Sequence, residues 1–261
     1  MERELEYQKM KKVLALDSSG LVASVAIVEG NGFESCLLAE YTVNYKKTHS
    51  QTLLPMLDEI VQMTELELDT IDAIAVAAGP GSFTGLRIGS ATAKGLGLAL
   101  EKPLVAVPTL DGLAYNLCGT EKIICPLMDA RRNQVYTGIY EFSRGLLRRI
   151  EPPMAVDIQE IAEKLCALQR DVIFLGDGVP VYRHRLTEIL LTELHAAGKY
   201  HEYAPAHLNR QRAGSIGTLA LQYMREGKLE TAAEHQPDYL RLSQAERERA
   251  EQERARQGEA P

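Results

Sequence analysis

The sequence lacks the short motifs that would place a zinc ion or an activated nucleophile. Its six histidines never form an HxxxH or HExxH pair, and it has no GxSxG elbow. A metallopeptidase would therefore have no recognisable ligands, and a serine hydrolase no recognisable nucleophile. We expect no metal site and no catalytic residue. The histidines are His49, His184, His195, His201, His207 and His235.

Cysteine and long apolar runs are also scarce. The four cysteines form no CxxC pair, which indicates reduced thiols in a reducing compartment. The segment from Met1 to Lys12 is charged and has no apolar signal core. No apolar run is long enough to span a bilayer. We therefore expect a cytoplasmic protein without a membrane segment. The cysteines are Cys36, Cys118, Cys125 and Cys166.

The chain carries little surplus positive charge. Of 261 residues, 29 are Lys or Arg and 36 are Asp or Glu, which gives a formal net charge of -7. Affinity for nucleic acid backbones comes mainly from Lys and Arg, so an acidic chain binds RNA poorly by itself. Any role with RNA would require a local basic patch or a partner protein.

The pattern of apolar segments predicts a mixed α/β fold with two similar lobes. Three short strands precede an amphipathic helix that begins near Thr48 or Ser50, with Pro55 close to its first turn. Strands and helices then alternate, and the layout repeats after Pro108. We predict an N-terminal lobe over 1–107 and a C-terminal lobe over 108–241 whose last helix packs back on the first lobe. A charged tail follows over 242–261.

Two strand ends could face a ligand. Asp17 ends the first strand and is followed by Ser18 and Ser19. An acid beside small hydroxyls at a strand end can hold magnesium through water, or can simply cap the backbone of a turn. Gly176 and Gly178 follow a later strand and would let a nucleotide approach closely. These five residues form a candidate vestigial nucleotide cleft.

The glycine-rich stretch 79–89 is the richest motif, and it is neither a Walker loop nor a dinucleotide fingerprint. Its glycines continue into a helix, where Gly85, Gly89, Ala93 and Gly97 recur every four residues. Glycine inside a helix costs about 1 kcal/mol relative to alanine, so the row requires a reason. Close approach of another helix explains it, either within this chain or from a partner.

A further motif is Asp129-Ala-Arg131-Arg132, which follows a predicted strand. Two adjacent arginines could bind a phosphate or a carboxylate. A solvated turn explains the same residues and, without further context, is the favoured interpretation. The sequence leaves both interpretations open.

Several motifs together resemble the TsaB family, formerly YeaZ, over residues 12–241. The long glycine motif is highly specific, and the order and spacing of the others reinforce it. These motifs are LALDSS at 14–19, KTHSQTLLP at 47–55, GPGSFTGLRIG at 79–89, MDARR at 128–132 and PDYLR at 237–241. The resemblance implies the actin, hexokinase and acetate kinase fold, with two ribonuclease-H-like lobes.

The resemblance also implies a function and partners. It implies a non-catalytic scaffold that takes part in threonylcarbamoylation of the adenosine beside the tRNA anticodon and needs no cofactor. Such a scaffold pairs with a catalytic TsaD, is joined by the ATPase TsaE, reaches tRNA only through the complex, and forms a homodimer when alone. A small-molecule kinase of the same fold is the alternative.

The implied interface lies on the first two helices. There we expect Gly89→Arg to abolish the heterodimer without unfolding the protein. The predicted interface residues are Leu53, Leu54, Leu57, Ile60, Val61, Gly85, Leu86, Gly89, Ala93 and Gly97.

Overall fold

The structure is a computed structural model that describes residues 9–45 and 48–240. The predicted charged tail over 242–261 lies outside the described residues. Within these residues, ten strands form two five-stranded sheets. The strands of the first sheet are β1 (Lys11–Asp17), β2 (Ala23–Gly30), β3 (Ser35–Val43), β4 (Ala73–Gly79) and β5 (Leu104–Pro108). Those of the second are β6 (Ile123–Asp129), β7 (Gln134–Ser143), β8 (Leu146–Asp157), β9 (Val172–Leu175) and β10 (His201–Tyr203).

The two sheets share one topology. The first has the order β3-β2-β1-β4-β5, and the second, read from its other edge, has the order β8-β7-β6-β9-β10. In each sheet an antiparallel meander is followed by two strands parallel to its first strand. The predicted duplication of a mixed α/β layout is therefore confirmed. The division into lobes at residue 107 stays a prediction.

In the described part of the chain, six α-helices cover the sheets. Local signals fix several of their ends: Ser82 caps one helix by accepting from the Gly85 amide, and Asp157 caps another by accepting from the Gln159 amide. The helices are α1 (His49–Met63), α2 (Phe83–Ala99), α3 (Thr109–Tyr115), α4 (Ile158–Leu168), α5 (Val179–Thr192) and α6 (Ala213–Arg225). Among the described residues, no helix is long and apolar enough to cross a membrane.

Strands β1, β2, β4 and β5 of the first sheet are buried on both faces, which explains their near-continuous apolar sequences. Leu14 and Leu16 of β1 pack toward α1 and α2, in a cluster that contains Leu53. The alternate residues Val13 and Ala15 pack toward α6. Large side chains thus face the outer helices, and small ones face the inner helix.

Helices α3 and α6 lie between the two sheets. Helix α3 packs Leu110 and Leu113 on Ile124 of the second sheet, whereas α6 packs Ile216 on the first sheet. The two helices also contact each other. On the far side of the second sheet, α4 and α5 complete a separate cluster. The resulting order of layers is α1 and α2, first sheet, α6 and α3, second sheet, α4 and α5.

Some local expectations were wrong. Pro55 is the seventh residue of α1 rather than part of its first turn, and Thr48 makes no side-chain cap. Pro55 is exposed, so its ring does not disturb the packing. Strand β8 was not predicted, because Pro152 and Pro153 argue against a central strand. It lies at the edge of its sheet, where proline is tolerated.

Candidate functional site

The turn after β1 is buried and internally satisfied. Asp17 is 1% exposed and accepts hydrogen bonds from the Ser19 amide at 2.8 Å and the Ser19 hydroxyl at 2.6 Å. Burial raises the pKa of Asp17, while the Ser19 hydrogen bonds and nearby His49 oppose that shift. The side chain therefore behaves as the acid of a buried turn.

The glycine-rich turn that precedes α2 packs directly against the turn after β1. The Ser82 amide donates to the Ser19 carbonyl at 2.7 Å, and the Ser18 hydroxyl donates to the Gly85 carbonyl at 2.9 Å. A Cβ on Gly81 would overlap the Ser19 carbonyl oxygen, and one on Gly85 would overlap that of Ser18. The glycines thus let the start of α2 approach β1, and the close approach fills the space beside Ser18 and Ser19 with this chain's own backbone.

The second pair of cleft residues also packs inside the chain. The Gly178 amide donates to the Leu127 carbonyl at 2.9 Å. A Cβ on Gly176 would overlap that same carbonyl, and Gly176 has a φ of +110° that favours glycine. Close packing on β6 therefore accounts for both glycines. Asp17, Ser18, Ser19, Gly176 and Gly178 each have a structural partner, and nucleotide binding by them stays a prediction.

A polar cluster around Gly20 was not predicted from the sequence. His49 Nε2 lies 2.9 Å from the Gly20 carbonyl oxygen, and the Gln211 amide packs against the Gly20 Cα. Neither His49 Nδ1 nor the Gln211 side chain has a hydrogen-bond partner among the residues that the structure describes. Only the spacing of KTHS before a helix pointed to His49, and nothing in the sequence pointed to Gln211, 191 positions from Gly20.

The glycine row of α2 faces this chain rather than solvent. A Cβ on Gly89 would lie 2.6 Å from the Ser18 hydroxyl oxygen, and one on Gly97 would overlap Leu104. Eight of the ten predicted interface residues are buried against the first sheet or its neighbours, so they offer a partner almost no surface. They are Leu53, Leu57, Ile60, Gly85, Leu86, Gly89, Ala93 and Gly97.

This burial corrects the design of the interface variant. Arginine at position 89 would have to displace Ser18 from its hydrogen bond with Gly85 and enter the core. Gly89→Arg therefore tests folding rather than association. Of the predicted set, Leu54 is 57% exposed and Val61 is partly exposed.

Other positions of α1 and α2 are open to solvent. Leu54 and Met63 of α1 and Leu98 of α2 are exposed, the last by 70%. Gly95 lies in the C-terminal half of α2, one turn after exposed Ala91, and a Cβ at Gly95 would meet nothing within 4 Å. Sequence reasoning missed this glycine because it is not part of the regular row of four.

A C-terminal strap, residues 230–240, covers another side of α2. His235 is fully buried, with Nε2 2.9 Å from the Ser90 hydroxyl and Nδ1 2.6 Å from Glu230. The Asp238 amide donates to the Ala78 carbonyl at 2.7 Å. The PDYLR motif, whose Arg241 lies outside the described residues, thus belongs to a segment that fixes α2 on its sheet.

No group of three or more histidine, cysteine, aspartate or glutamate residues in the described ranges could hold a metal ion. The paired carboxylates Asp129 and Asp177 lie together at the ends of β6 and β9, where Asp177 accepts from the Asp129 amide at 3.3 Å. Burial raises the pKa of Asp177. This pair serves the turn that follows β6.

Comparisons with known proteins agree with this architecture. The family described as "TsaD: tRNA N6-adenosine threonylcarbamoyltransferase" matches residues 36–249. The chain is 33% identical over 243 residues to the tRNA threonylcarbamoyladenosine biosynthesis protein TsaB of Bacillus subtilis, covering 90% of this chain and 96% of that protein. It is 33% identical over 195 residues to TsaB of Haemophilus influenzae, covering 69% of this chain and 77% of that protein.

A comparison with a solved structure agrees with the sequence similarity to TsaB proteins. YeaZ from Pseudomonas aeruginosa superposes with a TM-score of 0.68 at 26% sequence identity. The match covers 88% of this chain and 100% of that one. The relatives match both sheets together, so the likeness extends over the whole two-sheet architecture rather than over one lobe.

Proposed function

Because the chain belongs to the TsaB family of tRNA threonylcarbamoyladenosine biosynthesis proteins, we propose that it acts as a non-catalytic subunit that pairs with a TsaD-like threonylcarbamoyltransferase. The pairing surface is the exposed face of α1 and α2. This surface is defined by Ala91, Gly95 and Leu98, which share one exposed side of α2.

Gly95 is the observation that carries the proposal. An exposed glycine in the interior of a helix weakens the helix by about 1 kcal/mol relative to alanine. Gly85, Gly89 and Gly97 are explained by contacts inside the chain, whereas Gly95 has only open space around it. Contacts inside the chain leave no room for a Cβ at the buried glycines. A partner helix whose backbone comes close to α2 at Gly95 would leave no room for a Cβ there in the same way.

Exposed apolar side chains on α1 and α2 suit such a contact. Leu54, Met63 and Leu98 each leave a large apolar side chain in water. Fully burying an apolar side chain of this size stabilises an association by about 1.5–3 kcal/mol before entropy is counted. Small residues beside an exposed leucine on one side of a helix, as Ala91 and Gly95 are beside Leu98, are typical of a helix-bundle interface.

The turn after β1 supports the non-catalytic part of the proposal. The Asp17 carboxylate, the Ser18 hydroxyl and the Ser19 carbonyl are committed to hydrogen bonds within the chain. A kinase of this fold would need that turn to face nucleotide phosphates and magnesium. No specific observation in the structure favours the kinase alternative.

The same proposal covers the remaining partners. A TsaE-like ATPase joins the pair, tRNA is reached through the complex, and two copies of this chain associate through the same helices when the catalytic partner is absent. Residue 95 should then control both the homodimer and the heterodimer, because one surface serves both.

Size-exclusion chromatography of the chain mixed with the TsaD-like protein of the same organism tests the proposal. We expect a heterodimer with the wild type and none with Gly95→Arg. Ala167→Arg is the matched control, since Ala167 is exposed on α4 at the opposite end of the layer order. A folded Gly95→Arg chain that still forms the heterodimer would refute the proposed surface.

A further inference from the structure

The hairpin turn between β6 and β7 has an unusual backbone. Three consecutive residues that are not glycine adopt positive φ angles: Arg131 at 61°, Arg132 at 53° and Asn133 at 59°. Residues with a Cβ rarely adopt this left-handed conformation, and asparagine is the exception that tolerates it. Glycine would serve a turn at positions 131 and 132 with less strain. The two arginines therefore require a reason other than the turn itself.

The arginine side chains do not hold the turn together. All three residues are exposed, and neither guanidinium makes an ion pair or hydrogen bond with another residue in the described ranges. Hydrogen bonds from backbone amides stabilise the turn instead. The Arg131 amide donates to Asp129 Oδ1 at 2.8 Å, and the Gln134 amide donates to the Arg131 carbonyl at 3.1 Å. The guanidinium groups of Arg131 and Arg132 are thus exposed on a hydrogen-bonded turn and available to bind an anion.

The groups around the turn reduce the negative charge that would repel an anion. Tyr182 donates to Asp129 Oδ1 at 3.2 Å, so that oxygen is already shared between the Arg131 amide and Tyr182. Burial disfavours the charged form of Asp177 and raises its pKa. Arg210, which donates to the Gly176 carbonyl at 2.7 Å, adds a third cation near Asp177.

We propose that Arg131 and Arg132 bind backbone phosphates of the tRNA substrate. The inference rests on the proposed function and names a surface by which this chain itself touches the RNA. It also answers the question posed by a net charge of -7, because an acidic chain needs a local cationic element to approach a polyanion.

The position of the turn favours RNA over a protein partner. The proposed protein interface lies on α1 and α2, outside the first sheet, whereas this turn ends β6 of the second sheet. Exposed side chains on a hairpin tip suit a ligand that passes along the surface, as a nucleic acid backbone does. Phosphate contacts of this kind position a nucleic acid without reading its sequence.

The test is the salt dependence of tRNA binding by the reconstituted heterodimer. We expect Arg131→Gly/Arg132→Gly to weaken binding of a tRNA transcript about tenfold and to reduce the slope of log K against log salt by about 1 to 2. The melting temperature of this variant should not fall, since glycine suits the left-handed backbone. Arg131→Lys/Arg132→Lys should keep most of the slope.

Arg144→Ala/Arg148→Ala is the matched control. Both residues are exposed and make no ion pair with another described residue. Arg144 directly follows β7, and Arg148 lies on β8 opposite Glu141, so both are near the far end of β7, roughly 25–30 Å from the turn. The control removes the same charge, and we expect it to bind tRNA like the wild type.

The outcomes separate this inference from the proposed function. A failure of the wild-type heterodimer to form would overturn the proposed function. A heterodimer that forms but binds tRNA equally well with Arg131→Gly/Arg132→Gly, or that loses equal affinity in the control, would overturn the inference. So would loss of the heterodimer itself in the glycine variant, which would identify the turn as a protein contact, or a wild-type heterodimer that does not bind the transcript.

Discussion

At the scale of single residues, the glycines of α2 fall into two groups: some pack against this chain, and one faces solvent. Gly85 and Gly89 of α2 are required because the Ser18 backbone and side chain occupy the place of a Cβ, while Gly95 has open space. The sequence identified the glycines but could not divide them into buried and exposed sets. That division depends on the turn after β1, which lies about 70 residues earlier in the chain and supplies Ser18.

The two glycines give a matched prediction. We expect Gly95→Ala to stabilise the free chain by about 0.5–1 kcal/mol, because alanine is the better helix former. Gly89→Ala should destabilise it by about 1–3 kcal/mol, because the new methyl group overpacks against Ser18. Chemical denaturation of both variants measures these changes. Gly95→Ala should also weaken the heterodimer, and a variant that is both more stable and equally well bound would show that Gly95 serves no partner.

Asp17 gives a prediction about pH. Burial raises its folded pKa above the ordinary value of 3.8, so protonation stabilises the folded state as the pH falls, and this stabilisation is lost as the pH rises through the folded pKa. Asp17→Asn keeps an oxygen acceptor for Ser19 and removes the buried charge. We expect the variant to be more stable than the wild type at about pH 8 and its advantage to shrink toward about pH 4.

Thermal unfolding across this pH range measures the difference between the two proteins. A wild-type chain that is more stable than Asp17→Asn at every pH would show that the buried carboxylate is favourably charged.

His201 gives a prediction of the opposite sign. Burial, nearby His195 and Arg183 lower its pKa below the ordinary value of 6.5. The two imidazoles approach to 3.0 Å between His195 Nε2 and His201 Nδ1. The folded state therefore favours neutral His201, and stability should fall as the pH drops below about 6.5. His201→Gln should lose stability less steeply over that range, and parallel curves for the two proteins would contradict the assignment.

At the scale of elements, periodicity predicted most helices and strands because their apolar faces are regular. Strand β8 was not predicted, because an edge strand needs less apolar character and tolerates Pro152 and Pro153. The three-residue strand β10 is too short to carry a pattern. The faces of α1 and α2 were assigned wrongly for a related reason. Their richest apolar and glycine rows mark the side toward this chain's own sheet, and a partner surface is a sparser pattern.

At the scale of the whole molecule, the two sheets are joined by helices α3 and α6 and by a hydrogen-bonded carboxylate between them. Asp111 of α3 accepts from Tyr140 of β7 at 3.0 Å, from Arg149 Nε of β8 at 3.0 Å and from Tyr223 of α6 at 2.8 Å. These residues are up to 112 positions apart. Sequence patterns predict each element but carry no information on such a long-range polar contact.

The Asp111 cluster gives a prediction about stability. Asp111→Ala leaves the Tyr140 hydroxyl buried without its acceptor and removes the partner of Arg149. We expect a loss of about 2–4 kcal/mol in the free energy of unfolding. Tyr140→Phe removes a single hydrogen bond and should cost about 1 kcal/mol. Equal losses in the two variants, measured by urea denaturation, would mean that the carboxylate does not join the elements as described.

The central claim is that this chain supports tRNA modification by association and contributes no catalytic group of its own. The most direct measurement is threonylcarbamoylation of a tRNA transcript by the reconstituted complex, containing the wild type, Asp17→Asn or Gly95→Arg. The account predicts full modification with the wild type and with Asp17→Asn, and none with Gly95→Arg or without the chain. Loss of modification with a folded Asp17→Asn chain that still forms the heterodimer would contradict it, as would full modification with Gly95→Arg.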